Sequence, residues 1–154
     1  MAALTRYLLL AVFIVVVLGG GTLIGLFNLP DGWYAALRKP PFNPPNAVFA
    51  PIWSTLYVLI AIAGWRTFLR AGGNGTAKTL WVAQLALNFL WSPVFFGLHR
   101  PNLALAVIAL LLIAICAFIG ERWSKDAAAA WLFAPYLLWV AFATLLNGAI
   151  VMLN

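Results

Sequence analysis

The residues of this chain that could do chemistry are aromatic rings and side-chain amides, and the chemistry they suit is binding by stacking, shape and N–H donation. From Lys39 to Tyr57 the chain reads K-P-P-F-N-P-P-N-A-V-F-A-P-I-W-S-T-L-Y, with five of the nine prolines and with Trp53 and Tyr57 one helical turn apart. Proline fixes φ and lacks an N–H, so this is a stiff, non-helical segment that ends by starting a helix. Further on, Gln84, Asn88, Trp91 and Phe95 fall at i, i+4, i+7 and i+11 and share one helical face. Pro135, Trp139, Ala143 and Asn147 follow at steps of four. Pro135 removes the helical partner of the Trp131 carbonyl and predicts a kink. Ala143, a turn beyond Trp139, leaves room beside the indole. An amide in hydrocarbon is costly unless satisfied. Asn88 and Gln84 therefore read either as interhelical hydrogen bonds or as a polar handle inside an aromatic pocket.

Acid–base and metal chemistry have little to work with. The acids are Asp31, Glu121 and Asp126, all at turns, and His99 is the single histidine. Paired carboxylates, a hydrolytic triad or a multi-ligand metal site cannot be assembled from one such chain, nor can a haem held by two histidines of one subunit. The sequence thus predicts no metal site, no acid–base catalytic residue and no required cofactor. Cys116 is the lone cysteine, which excludes an internal disulfide; its mid-helix position reads as a small core hydrophobe.

The elements that must position these residues are membrane spans. Hydrophobic residues make up 66% of the 154 positions and charged residues 8%, against about 25% charged in a soluble domain. The charges punctuate five uncharged runs, and a helix needs about 20 apolar residues to cross the hydrocarbon core. Five transmembrane helices are predicted at roughly 5–28, 47–70, 78–98, 101–123 and 127–152, forming one all-α domain over residues 1–154. The first run is too long and lacks the cleavage site of a signal peptide. Arg6, Arg66, Arg70, Lys78, Arg122 and Lys125 fall on the N-terminal side, and Arg38, Lys39 and Arg100 on the other. That bias predicts a cytoplasmic N-terminus. The net charge of +6 follows this topology and does not point to nucleic acid.

Residues 71–77, with three glycines, read as a flexible turn. The long link, Asn28 to Asn46, reads as an ordered loop, because Trp33, Tyr34 and Phe42 are foreign to disorder. Asp31 is placed to cap a short helix through Leu37, ended by Pro40-Pro41. A loop of this kind is a functional lid or a structural plug. Of the eight tryptophans, Trp65, Trp81, Trp123 and Trp131 lie near span ends, where an interfacial belt is expected. Trp53, Trp91 and Trp139 lie deeper, in a pocket or in ordinary helix packing. The proline-rich loop occurs once and the spans carry no acid, which argues against a repeat-built, ion-coupled transporter.

Three blocks in order carry a family resemblance: P-D-G-W-Y at 30–34 with the proline-rich segment after it, Q-L-A-L-N-F-L-W-S-P-V-F-F-G at 84–97, and P-Y-L-L-W-V-A-F-A-T-L-L-N at 135–147. The chain resembles the TspO, or tryptophan-rich sensory protein, family, which includes the mitochondrial translocator protein. The resemblance implies a five-helix bundle, a homodimer in a bacterial-type cell membrane, and a pocket closed by the loop after the first helix. It implies porphyrin or other flat hydrophobic small molecules as ligands, with a tetrapyrrole such as protoporphyrin IX or a haem-type ligand foremost. The site residues expected are Trp33, Tyr34, Phe42, Trp53, Tyr57, Asn88, Trp91, Trp139 and Ala143, with Arg38 or Lys39 at the mouth for propionates. Trp53 matches a tryptophan implicated in light-dependent porphyrin breakdown, which makes oxidative degradation the alternative activity and transport a third. Ala47 stands where the family places a tryptophan. The aromatic-then-basic pattern proposed for sterols is missing after Asn147, which lowers the expectation of sterol binding.

Overall fold

A computed structural model describes residues 3–70 and 75–154. The described residues form helices and turns without a strand. Five helices are long and apolar enough to cross a membrane: α1 (Ala3–Phe27), α3 (Asn46–Leu69), α4 (Gly75–Gly97), α5 (Pro101–Trp123) and α6 (Ala127–Leu153). A short helix, α2 (Gly32–Ala36), lies in the first loop. The predicted glycine-rich turn falls partly on residues 71–74, outside the described residues.

The local chemistry explains the boundaries. The Asp31 carboxylate accepts the Tyr34 N–H at 3.1 Å and caps α2, which stops where Leu37 turns extended ahead of Pro40. Pro101 occupies the first turn of α5, where its missing N–H costs nothing. Asp126 caps α6 through the Ala129 N–H. Helix α6 then runs on through Pro135. Pro93 opens a π turn that ends α4, and its carbonyl accepts the Leu98 N–H, five residues on, at 2.8 Å. Helix α1 has a π turn of its own at Val15–Gly19. Such wide turns often sit at functional sites.

The spans pack in the ring α1–α3–α6–α5–α4, closed by the second half of α1 against α4. Ile60, Leu111, Ile115, Phe118, Phe133 and Val140 form the core on the faces of α3, α5 and α6. Leucines such as Leu110, Leu138 and Leu145 point outward, with Leu138 72% exposed, as a lipid solvent allows. Trp123 and Trp131 pair on the outside at the α5–α6 turn, as an interfacial belt requires. Two expectations fail. Trp81 belongs to the core, 5% exposed, because its indole donates to the Ile60 carbonyl at 3.0 Å and its ring lies against Gly64. Cys116 is exposed on the outer face of α5 instead of filling the core.

Candidate functional site

A cavity of about 540 Å³ opens at the loop end of the bundle. Its walls come from the second half of α1, the first loop, the start of α3, the end of α4 and the end of α6. Tyr34 closes it from the loop, Phe49, Trp53 and Tyr57 from α3, Trp91 and Phe95 from α4, and Ala143 and Asn147 from α6. No lining residue carries a charge. The volume lies in the range of small-molecule sites, which are usually apolar with a few placed polar groups.

Of the nine residues singled out in the sequence, Tyr34, Trp53, Tyr57, Asn88, Trp91 and Ala143 line this one space. Trp53 stands beside Tyr57, with ring centroids 5.4 Å apart. Tyr57 fits because α1 presents Gly21 to its ring, where any Cβ would collide. Burial pushes the Tyr34 hydroxyl above its ordinary range, and a hydrogen bond to Asn43 opposes that only in part.

The other three lie elsewhere. Trp33 turns away from the cavity and stacks on His99, centroids 4.3 Å apart. Phe42 is half exposed and meets Phe142 edge-on. Trp139 packs against Phe49 and Phe142 and lines a separate groove between α3 and α6, with Pro51, Leu56 and Pro135. Its buried indole N–H has no hydrogen-bond partner among the described residues. The four-residue stepping that links Trp139 to Ala143 and Asn147 drifts by about 40° per step on a 3.6-residue helix. That drift carries Trp139 round toward α3.

The amides resolve toward packing. Tyr57 donates to Asn88 Oδ1 at 3.2 Å, Asn88 Nδ2 donates to the Tyr136 hydroxyl at 2.8 Å, and Tyr136 donates to Gln84 Oε1 at 2.9 Å. Asn88 thus joins three spans with both ends of its amide engaged. Trp91 donates to Asn147 Oδ1 at 3.1 Å, and Asn147 Nδ2 holds the Pro101 carbonyl at 2.9 Å. Sequence reasoning missed Tyr136, which looks like one more aromatic in an apolar run. The signal available was the lone hydroxyl one residue past Pro135. It also missed Phe49, and Asn28 and Ser92 at the cavity wall.

The first loop is pinned from outside the cavity. Lys39 lies over the Tyr34 ring at 4.5 Å and donates to the Ala35 and Leu37 carbonyls. The Arg38 backbone is held at both its N–H and its carbonyl by the Asn154 side chain. Neither basic side chain lines the cavity, so the mouth position expected for them is not where the fold puts them. Ala47 is likewise exposed and off the cavity wall. Among the described residues no three metal-binding side chains gather.

A model of the TspO/MBR family matches residues 12–153. The chain belongs to that family. It is 40% identical to the tryptophan-rich sensory protein of Cereibacter sphaeroides over 136 residues, covering 88% of this chain and 85% of the relative. It is 38% identical over 149 residues to Protein CrtK of Rhodobacter capsulatus, covering 95% and 92%. It is 38% identical over 135 residues to the translocator protein of Bos taurus, covering 83% and 79%. As a TspO/MBR member with five apolar spans it is an integral, multi-pass membrane protein.

Proposed function

We propose that this TspO/MBR protein is a membrane binding protein or sensor for tetrapyrroles and other flat hydrophobic molecules, held in the loop-end cavity under the first loop. The observation that carries the reading is the uncharged cavity walled by Tyr34, Phe49, Trp53, Trp91 and Phe95. Aromatic walls offer a planar ligand stacking surface, and each such contact is worth about 0.5–1.5 kcal/mol beyond area burial. Asn88 and Asn147 are committed to the protein's own hydrogen bonds. Polar contacts with a ligand then fall to Thr22, Asn46 and Ser92, which line the same space outside those networks. With Arg38 and Lys39 outside, a porphyrin would keep its propionates toward the lid edge.

The test is titration of purified protein with protoporphyrin IX, read by tryptophan quenching. Trp53→Ala is expected to weaken binding about tenfold. Trp139→Ala, in its separate groove, is expected to change it less than about threefold. Equal losses in both would sink the assignment of this cavity.

A second reading draws on Trp53 standing 5.4 Å from Tyr57 and 6.4 Å from Tyr136, a run of oxidisable rings beside any bound porphyrin. On that reading the protein degrades porphyrin under light and oxygen. Illumination separates the two, because only a degrader yields a new spectral product that Trp53→Phe abolishes. A homodimer in a bacterial cell membrane with a cytoplasmic N-terminus completes the proposal. Light scattering in detergent checks the assembly, and a reporter fused at the N-terminus checks the orientation.

A further inference from the structure

The turn between α4 and α5 holds His99, and three observations converge on it. Its Nε2 lies 3.1 Å from Asp31 Oδ2 in the first loop. Its ring lies flat against Trp33, with centroids 4.3 Å apart and planes 20° apart. Its backbone sits at φ 54°, in the left-handed region, where it is the lone non-glycine residue among those described. That conformation is uncommon outside glycine, though histidine is among the residues enriched there, and here it aims the imidazole at the lid. Trp33 in turn leans edge-on against Phe95, a cavity wall residue. Tyr34, the cavity's roof, is the residue after Trp33. The same Asp31 that meets His99 with one oxygen caps α2 with the other.

We propose that His99 is a positioning residue for the cavity, a proton-sensitive latch that holds α2 down over the site when the imidazole is charged. As an imidazolium it pairs with Asp31 and adds a cation–π contact to the Trp33 face. As a neutral ring it keeps only the stack and an ordinary hydrogen bond. Both partners are solvent-reachable, at 39% and 49% side-chain exposure, so the proton can exchange freely. The charge environment is simple. Of the three acidic side chains, Glu121 and Asp126 belong to the opposite end of the bundle, which leaves Asp31 as the acidic side chain on this side, with Asn154 at the end of α6 against the Arg38 backbone. Arg100 adjoins His99 on its own turn. On the loop, Lys39 is turned over Tyr34, and Arg38 meets Asn154 through its backbone. The Tyr34 N–H, followed by the charge and hydrogen bond of His99, holds the Asp31 carboxyl below its ordinary range. It therefore stays a carboxylate whichever form the imidazole takes. The sign follows: acid firms the latch by protonating the imidazole, and base loosens it.

The test uses the full chain in nanodiscs without ligand. Hydrogen exchange of the 33–37 amides is measured at pH 5.5 and pH 8 and corrected for intrinsic exchange chemistry. In the wild-type protein, opening is expected to be about three- to tenfold more populated at the higher pH. His99→Asn keeps a residue suited to the left-handed backbone. Asp31→Asn keeps a capping oxygen. Each should leave α2 formed, exchange fast at both pH values and flatten the profile. A flat profile in the wild type, or a pH step that survives in His99→Asn, overturns the latch. This proposal rests on the cavity as the binding site only for its purpose. Protoporphyrin IX dissociation should follow the same pH step. A protein that shows the step in exchange yet binds no porphyrin keeps the latch and loses the ligand assignment.

Discussion

Two aspartates cap helices at opposite ends of this bundle, and they do different work. Asp31 caps α2 at the loop end with its side chain 49% exposed, and His99 Nε2 meets its other oxygen at 3.1 Å. Asp126 caps α6 at the other end with its side chain 2% exposed, paired with Arg66 at 2.8 Å and with Arg70 at 3.3 Å. Burial pushes the Asp126 carboxyl up, but the hydrogen bond and charge of Arg66, the Ala129 N–H and the charge of Arg70 outweigh it and hold it below the ordinary carboxylate range. Arg122, fully buried, and the Glu121–Lys125 pair complete that end. The capping chemistry is the same. Burial and partner choice turn one cap into a clamp between α3 and α6 and leave the other as a contact that water can compete for. The cavity sits under the weak one.

Breaking the clamp should have the largest effect. Asp126→Ala removes the cap and takes the shared carboxylate from the partly exposed Arg66 and Arg70, an expected loss of about 2–4 kcal/mol. Unfolding by heat or denaturing detergent measures it, and a loss under about 1 kcal/mol would deny that this end is the stronger one. The pH dependence has a defined sign. A carboxyl whose folded pKa is lowered stabilises the protein above its ordinary range, about pH 4, and that stability disappears as pH falls through the lowered value. Acid unfolding below about pH 4 should therefore begin at the Asp126 end, and Asp126→Asn should blunt that dependence.

Removing the hydroxyl in Tyr136→Phe comes next. It strips the bridge between Asn88 and Gln84 and leaves buried amide groups short of a partner, at a cost of about 1–3 kcal/mol. If the melting profile is unchanged, the Asn88 network is not what holds the cavity floor. Gly21→Ala pushes a methyl into the Tyr57 ring, with an expected loss of about 1–3 kcal/mol. It should also weaken porphyrin binding; a stability loss with binding intact would separate α1 packing from the site. Asp31→Ala should have the smallest global effect, leaving the thermal midpoint unchanged while the α2 amides exchange faster. A midpoint shift as large as that of Asp126→Ala would erase the difference between the two ends.

Much of this was readable before any coordinates. The charge punctuation delimits five spans because hydrocarbon tolerates few charges, and the helix bounds agree within about three residues. Asp31 as a helix cap was legible because capping is a local, three-residue geometry. The packing role of Asn88 was one of two open readings, since its partners, Tyr57 and Tyr136, lie 31 and 48 residues away. The family resemblance puts Trp33 and Trp139 at the pocket, while the depth of Trp139 in its span leaves pocket and helix packing both open. A side chain's type says that it will stack, but not on what. Trp139 found Phe49 and Phe142, and Trp33 found His99.

The sequence by itself determined the solvent, the number and limits of the spans, the capped helix of the first loop and the family, since each depends on composition or on neighbours a few residues apart. The tertiary structure decided which aromatics share a cavity, which amides are already spent on one another, and that the two capping aspartates differ in strength. Those outcomes depend on residues 30 to 120 positions apart meeting across the ring of helices. Burial, which sets the strength of a charge or a hydrogen bond, belongs to the assembled bundle and to no segment of it.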